Sequence, residues 1–258
     1  MDRIIDSDDR LSFVFPMWNE EAMIAHTVAA AREAGDRLVA GGLAGSFEIV
    51  LVDDASTDGT GKIADELADD DPRLVVLHHP ENRKLGGALK SGLAAAGGDV
   101  VLYTDADLPC ELMETDKALR LMRTYEADVV SAYRFDRTAE GAQRAVYSYV
   151  YNHLVRWVLG VRVRDVNFAF KLLRRRVLDH VELVSEGSFI DAELVAKAHR
   201  RGFRFVQFGV DYIARTRGTS TLSSPAVIVK MVRELADLYP EIRRVDRLPA
   251  AVLDGDLR

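Results

Sequence analysis

The sequence predicts an α/β fold in which a mostly parallel sheet is covered by helices on both faces, and three observations predict it. Short β-branched, apolar runs alternate with helical stretches through residues 1–133. Each of three such runs stops at a polar, largely acidic cluster. A length of 258 residues at 48% hydrophobic content is enough for one large core, with apolar stretches broken by charge well before a membrane-spanning length. Strands that alternate with helices belong to parallel sheets, and ligands of such sheets bind beyond the carboxyl ends of the strands.

In chain order, a strand is predicted over 11–15 and a helix over about 20–40, then a strand over 47–52 and a helix over 59–68. A strand at 74–78, a helix at 86–96, a strand at 100–104, a helix at 111–125 and a strand at 128–132 continue the series. The pattern changes after residue 133. A long helix with an apolar, aromatic face covers about 142–159, with Tyr147, Val150, Tyr151, Leu154 and Trp157 on that face. That face can be core or can rest on a membrane. A short stretch at 166–173, a helix at 191–201, a strand at 203–210, a polar loop at 215–220 and a helix at 225–238 follow, and the charged, Pro- and Gly-containing tail after Pro240 is expected to fray.

Charge divides the same way. Residues 1–133 carry 12 Lys+Arg against 26 Asp+Glu, a net of −14, whereas residues 134–217 carry 16 against 9, a net of +7. An acidic half can recruit a metal and a basic half can receive an anion, although two solvated faces would read the same. No nucleic-acid-binding module is recognisable, so no nucleic-acid partner is expected. The opening Met1-Asp2-Arg3-Ile4-Ile5-Asp6 lacks the basic flank and apolar core of a signal peptide, and the single Cys110 excludes an intrachain disulfide and a cysteine-based zinc site. The expectation is a cytoplasmic protein, peripheral at the inner face of the membrane if its acceptor is a lipid.

The candidate chemistry lies at the strand ends. Asp105-Ala106-Asp107 follows Val100-Val101-Leu102-Tyr103-Thr104, and two carboxylates one residue apart can converge on one hard cation. A solvated turn would carry the same residues. At the second strand's end, Asp53 and Asp54 can accept hydrogen bonds from a nucleobase or a ribose hydroxyl, while Ser56 or Asp58 can cap the next helix. After the first strand, Pro16-Met17-Trp18-Asn19-Glu20 offers a flat ring in Trp18 and an acceptor in Glu20, or else a helix start capped by Asn19. Arg83 and Lys84 precede a helix amino end and can help hold an anion, without the spacing of a P-loop. Arg134, Arg144, Arg215 and Arg217 stand near loops or element ends, where a guanidinium can grip phosphate. Asp191 and Glu193 open a helix, either as favourable charges at its amino end or as proton acceptors.

These motifs, namely Val14 to Glu20, Val52 to Thr60, Asn82 to Gly92, Gly98-Asp99 and Asp105-Ala106-Asp107-Leu108, resemble in order and spacing the family-two glycosyltransferases of the GT-A fold, over roughly residues 11–220. Arg134-Phe135, Arg144 with Ser148 and Asn152, Asp165 with Asn167 to Lys171, Asp191 to Leu194 and Arg215 to Ser220 are similar to the polyprenyl-phosphate (dolichol-phosphate) mannosyl- and glucosyltransferase branch. The resemblance implies a nucleotide-sugar-binding half at 1–133, an acceptor-side half of the same domain at 134–240 and a C-terminal tail at 241–258. It implies that Pro16, Trp18, Glu20 and Asp53 line the nucleotide pocket. Asp105 and Asp107 would bind Mg2+ or Mn2+ and through it the diphosphate, with the Ala106 backbone against the ligand. Arg134, Arg144 and Arg215 would face the acceptor phosphate or the departing diphosphate.

The implied activity is inverting transfer of a hexose from a GDP- or UDP-linked donor to polyprenyl phosphate. Transfer to a soluble hydroxyl acceptor, with Asp191 or Glu193 as base, and a catalytically silent nucleotide-sugar-binding protein are the alternatives. Two departures stand out. Pro109 occupies the position, two residues after the second Asp, where many relatives carry a glutamine, and the C-terminal membrane helices of membrane-bound relatives are missing.

Overall fold

The computed structural model describes residues 8–136, 142–213 and 225–253, the side chains of 142–148, 225–229 and 231 excepted. The alternating runs of the first half form β1 (Arg10–Met17), α1 (Ile24–Ala40), β2 (Ser46–Asp53), α2 (Thr60–Asp69), β3 (Leu74–His78), α3 (Lys84–Ala95), β4 (Val100–Thr104), α4 (Glu114–Thr124) and β5 (Val129–Arg134). The second half adds α5 (Ala142–Leu159), β6 (Phe170–Arg174), α6 (Arg175–His180), α7 (Ile190–Arg201), β7 (Phe205–Val210), α8 (Pro225–Arg244) and α9 (Ala250–Leu253). Seven strands make one sheet in the order β3-β2-β1-β4-β6-β5-β7. All neighbours are parallel except β6, which runs antiparallel to β4 and to β5.

The period of two along each strand divides the core between the faces. Leu11, Phe13 and Phe15 of β1 and Ile49 and Leu51 of β2 pack against α1 and α4, through Ile24, Val28, Ala31, Ala118, Leu119 and Met122. The alternate residues Val14, Val50, Val52, Val101 and Tyr103 pack against Ala88, Leu89 and Leu93 of α3 and Ile190, Leu194 and Ala198 of α7. A third cluster joins Tyr151, Val155 and Leu159 of α5 to Ala192 and Val195 of α7 and to Leu235 and Ile242 of α8. Burial on both faces is why these strands read as continuous apolar runs.

Three elements depart from expectation. The first helix begins at Ile24 rather than near residue 20, because Glu20 closes a turn through its carbonyl, which accepts from the N–H groups of Met23 and Ile24. The stretch at 166–173 resolves into β6, inserted between β4 and β5. The segment after Pro240 does not fray through residue 253: α8 continues to Arg244 because Ile242, 1% exposed, belongs to the third cluster. Beyond it, the Leu248 N–H donates to the Arg201 carbonyl at 2.9 Å and Arg176 donates to the Leu253 carbonyl at 3.0 Å, which holds the tail on α7 and α6.

Candidate active site

Because β1, β2 and β4 are parallel, their carboxyl ends open on one edge of the sheet. At the end of β4 the chain turns through Asp105-Ala106-Asp107. The Leu108 N–H donates to the Asp105 carbonyl at 3.1 Å, and Leu108 takes a φ of 50° to complete the turn. Ala106 is buried, and its carbonyl accepts a 2.5 Å hydrogen bond from Thr27 Oγ1 on α1. The backbone between the two carboxylates is thereby pinned, while Asp105 and Asp107 themselves are half-buried. Two hard oxygen donors on a fixed turn suit Mg2+ or Mn2+. Among the described residues no group of three or more His, Cys, Asp or Glu side chains is arranged around a common metal position. A cation at this pair would complete its shell with diphosphate oxygens and water. Pro109 contributes no side-chain donor; its carbonyl accepts from the Ile213 N–H at 2.9 Å. Cys110 is buried, and burial pushes its thiol well up, so it is neither thiolate nor ligand.

The loops after β1 and β2 are latched together. Asn19, at φ 57°, donates its N–H to Ser56 Oγ at 3.0 Å and accepts from the Thr57 N–H at 2.8 Å. The Glu20 N–H donates to Thr60 Oγ1 at 2.8 Å, and the Glu21 carboxylate accepts from the Gly59 N–H at 2.9 Å. Asn19 is therefore a loop clasp rather than the cap of α1. Gly59, not Ser56 or Asp58, is the N-cap of α2 and brings no side-chain cap; Asp58 just before it accepts from the Thr60 N–H and hydroxyl at 3.0 and 2.6 Å. This leaves Pro16 paired with Val52 inside the sheet and the Trp18 ring 50% exposed at the edge.

Asp53 and Asp54 are buried, and each faces a histidine from the end of β3. His78 Nδ1 lies 3.0 Å from Asp53, and the register Asp53↔His78 sets the two side by side. The other ring nitrogen of His78 lies 2.9 Å from Asp65. With a carboxylate at both nitrogens the ring donates twice, and Asp65 and Asp53 raise its pKa above the ordinary 6.5. Burial alone would raise Asp53, but hydrogen bonds from Ser56 and His78 hold it below its ordinary value. His79 Nδ1 lies 2.6 Å from Asp54, which also accepts from the Arg83 N–H at 2.8 Å. Asp54 thus organises the loop carrying Lys84, whose side chain is exposed and whose φ is 61°. Neither histidine was singled out in the sequence. A His-His pair ending the strand that lies beside an Asp-Asp strand end was the available signal.

The antiparallel β6 begins where β4 ends, with Phe170 opposite Thr104 and Thr104 Oγ1 donating to the Ala169 carbonyl at 2.6 Å. The loop at 165–169 therefore enters the same edge. Arg134, at the end of β5, meets it there and donates to both oxygens of Asp165 at 2.7 and 3.1 Å. Its guanidinium also lies over the rings of Phe168 and Tyr212. Arg144 lies in α5 among residues whose side chains are not described, and Arg215 and Arg217 lie outside the described residues.

Asp191, in the first turn of α7, is 3% exposed and accepts from Lys171 Nζ at 2.5 Å and from the Tyr103 hydroxyl. Lys171 is fully buried and also donates to the Phe168 carbonyl at 2.8 Å. Glu193 is 0% exposed. Its two oxygens accept from the Val184 and Ser185 N–H groups at 2.9 and 2.8 Å, and Lys197 Nζ lies 2.7 Å away. Of the two readings the sequence left for Glu193, a charge at the helix start or a proton acceptor, its bonding matches a structural one: it moors the loop at 184–186. That loop in turn packs on Gly86 of α3, where an added Cβ would stand 2.4 Å from the Ser185 carbonyl oxygen.

Comparison with known proteins bears on this arrangement. The family described as Glycosyl transferase family 2 matches residues 12–182. The glycosyltransferase AglD of Haloferax volcanii is 33% identical over 207 residues, which is 78% of this chain but only 33% of that protein. This chain thus spans about a third of that relative's length. The undecaprenyl-phosphate mannosyltransferase of Micrococcus luteus is 28% identical over 230 residues, 84% of this chain and 89% of its own. Among solved structures, the mannosyltransferase PcManGT of Pyrobaculum calidifontis, in complex with GDP-Man and Mn2+, superposes with a TM-score of 0.63 at 19% identity, covering 97% of this chain and 69% of that one. The glucosyl-3-phosphoglycerate synthase of Mycobacterium tuberculosis, in complex with Mn2+, UDP-glucose and phosphoglyceric acid, gives 0.66 at 20% identity, covering 90% and 80%. At such identities these two likenesses speak to the fold, which is GT-A.

Proposed function

The chain belongs to glycosyl transferase family 2, and from that premise we propose that it is a metal-dependent, inverting hexosyltransferase whose acceptor is a polyprenyl phosphate. The observation that carries the reading is the convergence of Asp105 and Asp107 with Trp18 and Asp53 at one carboxyl edge of the sheet. Residues 1–133 form the donor side, with Pro16, Trp18, Glu20, Asp53 and Asp54 around the nucleoside and Lys84 at the rim. Residues 134–240 form the acceptor side, with Arg134, Arg144 and Arg215 around phosphate. A divalent cation, Mg2+ or Mn2+, held by Asp105 and Asp107 would neutralise charge developing on the leaving diphosphate. The acceptor oxygen attacks the anomeric carbon from the face opposite the diphosphate, the bond from that carbon to the diphosphate oxygen breaks, and its electron pair leaves with the nucleoside diphosphate.

Two observations support a phosphate acceptor over a hydroxyl. An ionised phosphate attacks without losing a proton, whereas a hydroxyl needs a base. Both sequence candidates for that base are engaged: Asp191 by Lys171 and Tyr103, Glu193 by Val184, Ser185 and Lys197. The likeness to the Micrococcus luteus protein points the same way. Among the described residues no helix is long and apolar enough to cross a membrane. On this reading a lipid acceptor is met at the membrane surface, on its inner face.

The test begins with a thermal-shift screen of GDP- and UDP-sugars with and without Mn2+. Transfer from the best stabiliser to undecaprenyl phosphate in detergent follows. Metal-dependent stabilisation by one donor class and release of its nucleoside diphosphate are expected. No release from any donor in Mg2+ or Mn2+ overturns the proposal, and transfer only to soluble hydroxyl acceptors overturns the lipid assignment.

A further inference from the structure

Helix α5 buries one face and shows a second that nothing among the described residues covers. Tyr151, Val155 and Leu159 pack into the third core cluster. Tyr149 is 62% exposed, Val150 58% and Trp157 85%, and His153 between them is also exposed. At 100° per residue these four fall within about a 100° arc of the helix, and from Tyr149 to Trp157 the stripe runs about 12 Å. The Tyr149 and His153 rings lie 3.9 Å apart, centroid to centroid. An outward stripe of Tyr, His and Trp is unlike the scattered single apolar residues of ordinary surfaces.

The charge around the stripe says what covers it. From residue 149 to residue 164 there is no Asp or Glu, and Arg156, about 20° of helix rotation from Tyr149, borders the stripe. This occurs in a chain of net charge −7 whose first 133 residues stand at −14. A second copy of the chain would have to bring Arg156 and its acid-free helix segment against the same segment, and like charges oppose that contact. An anionic surface with an apolar layer beneath it matches both properties. Tyr and Trp rings settle at the headgroup level of a bilayer, and arginines reach lipid phosphates while their stems stay in contact with the apolar layer.

We propose that the outward face of α5 docks flat on an anionic lipid bilayer, with Tyr149, Val150, His153 and Trp157 entering the headgroup layer and Arg156 on a lipid phosphate. The docking deepens the lipid-acceptor reading and rests on it for purpose. Its evidence is separate, because vesicle binding is measured without sugar transfer.

Co-sedimentation with vesicles of phosphatidylglycerol mixed with phosphatidylcholine, and with phosphatidylcholine alone, tests it. Wild type is expected to partition onto the anionic vesicles, less as salt rises, with a blue shift of tryptophan emission. Trp157→Ala with Tyr149→Ala is expected to lower that partition by about tenfold or more, since each ring adds apolar area to the contact. The emission shift should disappear although Trp18 remains, and transfer to a detergent-solubilised acceptor should be unchanged. Equal partition of wild type and variant overturns the proposal, as does light scattering that shows a dimer lost on substitution without vesicle binding by wild type. A wild type that binds vesicles but transfers no sugar would overturn the enzymatic reading and leave this one standing.

Discussion

Replacing Asp191 by Ala should destabilise the protein severely, and the size of the effect follows from what the carboxylate leaves behind. The Lys171 side chain is 0% exposed and that of Asp191 4% exposed, so neither charge can turn to bulk water. Without Asp191, the Lys171 ammonium keeps the Phe168 carbonyl but no counter-charge, and the buried Tyr103 hydroxyl loses its acceptor. Breaking one side of a buried pair costs about 3–5 kcal/mol. A hydroxyl left without a partner costs about 1–3 kcal/mol more, partly offset where Lys171 sheds its proton. A total near 4 kcal/mol is a large share of the roughly 5–15 kcal/mol that holds a domain folded, and corresponds to a fall in Tm of about 8–16 °C. Urea denaturation at pH 7 followed by circular dichroism measures it. Lys171→Met alone should also destabilise, whereas Asp191→Leu with Lys171→Met and Tyr103→Phe should recover most of the loss, because packed apolar side chains avoid the desolvation of both charges and leave no buried hydroxyl without an acceptor. An Asp191→Ala protein within about 1 kcal/mol of wild type would refute the reasoning. The same position separates a positioning role from proton transfer: Asp191→Asn, which keeps an oxygen for Lys171 and Tyr103, should lower kcat without altering the shape of its pH profile. Loss of a basic limb in that profile would make Asp191 the base.

Asp107→Ala should cut nucleoside-diphosphate release by about a hundredfold or more. Its Tm should stay within about 4 °C of wild type, because the backbone turn is held from Ala106 and Leu108; activity retained in Mn2+ would remove the metal role. His78 has a raised pKa, so its contribution to stability is complete below 6.5 and fades as pH climbs through the raised value, whereas that of Asp53 is complete above 3.8 and fades as pH drops through its lowered one. The pair therefore stabilises most between these limits, and His78→Gln should flatten the decline in Tm on the alkaline side; an unchanged slope would mean that the ring is not charged in the folded protein. Gly86→Ala should cost roughly 1–3 kcal/mol, since its Cβ meets backbone atoms of Ser185 and Glu186 at 2.4 and 2.7 Å. A thermal melt equal to wild type would show that the 184–186 loop yields.

The parallel half was legible because its strands, the edge strand β3 apart, are buried on both faces and are followed by helices, so local pattern and tertiary environment agree. Phe170–Arg174 is five residues long and runs straight into Arg175 and Arg176. Its strand state is decided by β4 and β5 on either side, and nothing local announces that pairing. The candidate site was legible to the same degree. Asp53, Asp105 and Asp107 could be found because strand ends are visible in sequence. The bonding of Arg134 to Asp165, 31 residues away, and of Asp191 to Lys171, 20 away, could not be, because a charge looks alike in sequence whether it meets substrate or a buried partner. Pro240 misled for a related reason: a helix-breaking residue was outweighed by the burial of Ile242 two positions on.

The insertion of β6 brings loops from both sides of residue 133 to one edge of the sheet. Had the chain continued with parallel strands alone, the second half would have reached the donor edge only through the carboxyl ends of β5 and later strands. Because β6 runs against β4, its amino end, and with it the loop carrying Asp165 and Phe168, arrives beside Asp105. Since β5 runs against β6, Arg134 at its carboxyl end returns to that same edge. One antiparallel strand thus turns both ends of the second half's hairpin-like pair toward the acidic pair of the first. The Asp105–Asp107 turn and the Arg134–Asp165 pair then open on the same edge of the sheet. A reaction that passes a sugar between two phosphates needs that juxtaposition, with a cation's place on one side and guanidinium on the other. Asp165 fixes the orientation of the Arg134 guanidinium through two of its nitrogens, at the expense of part of its charge. Arg134→Lys, which preserves the charge but cannot span both oxygens, should therefore weaken transfer nearly as much as Arg134→Ala.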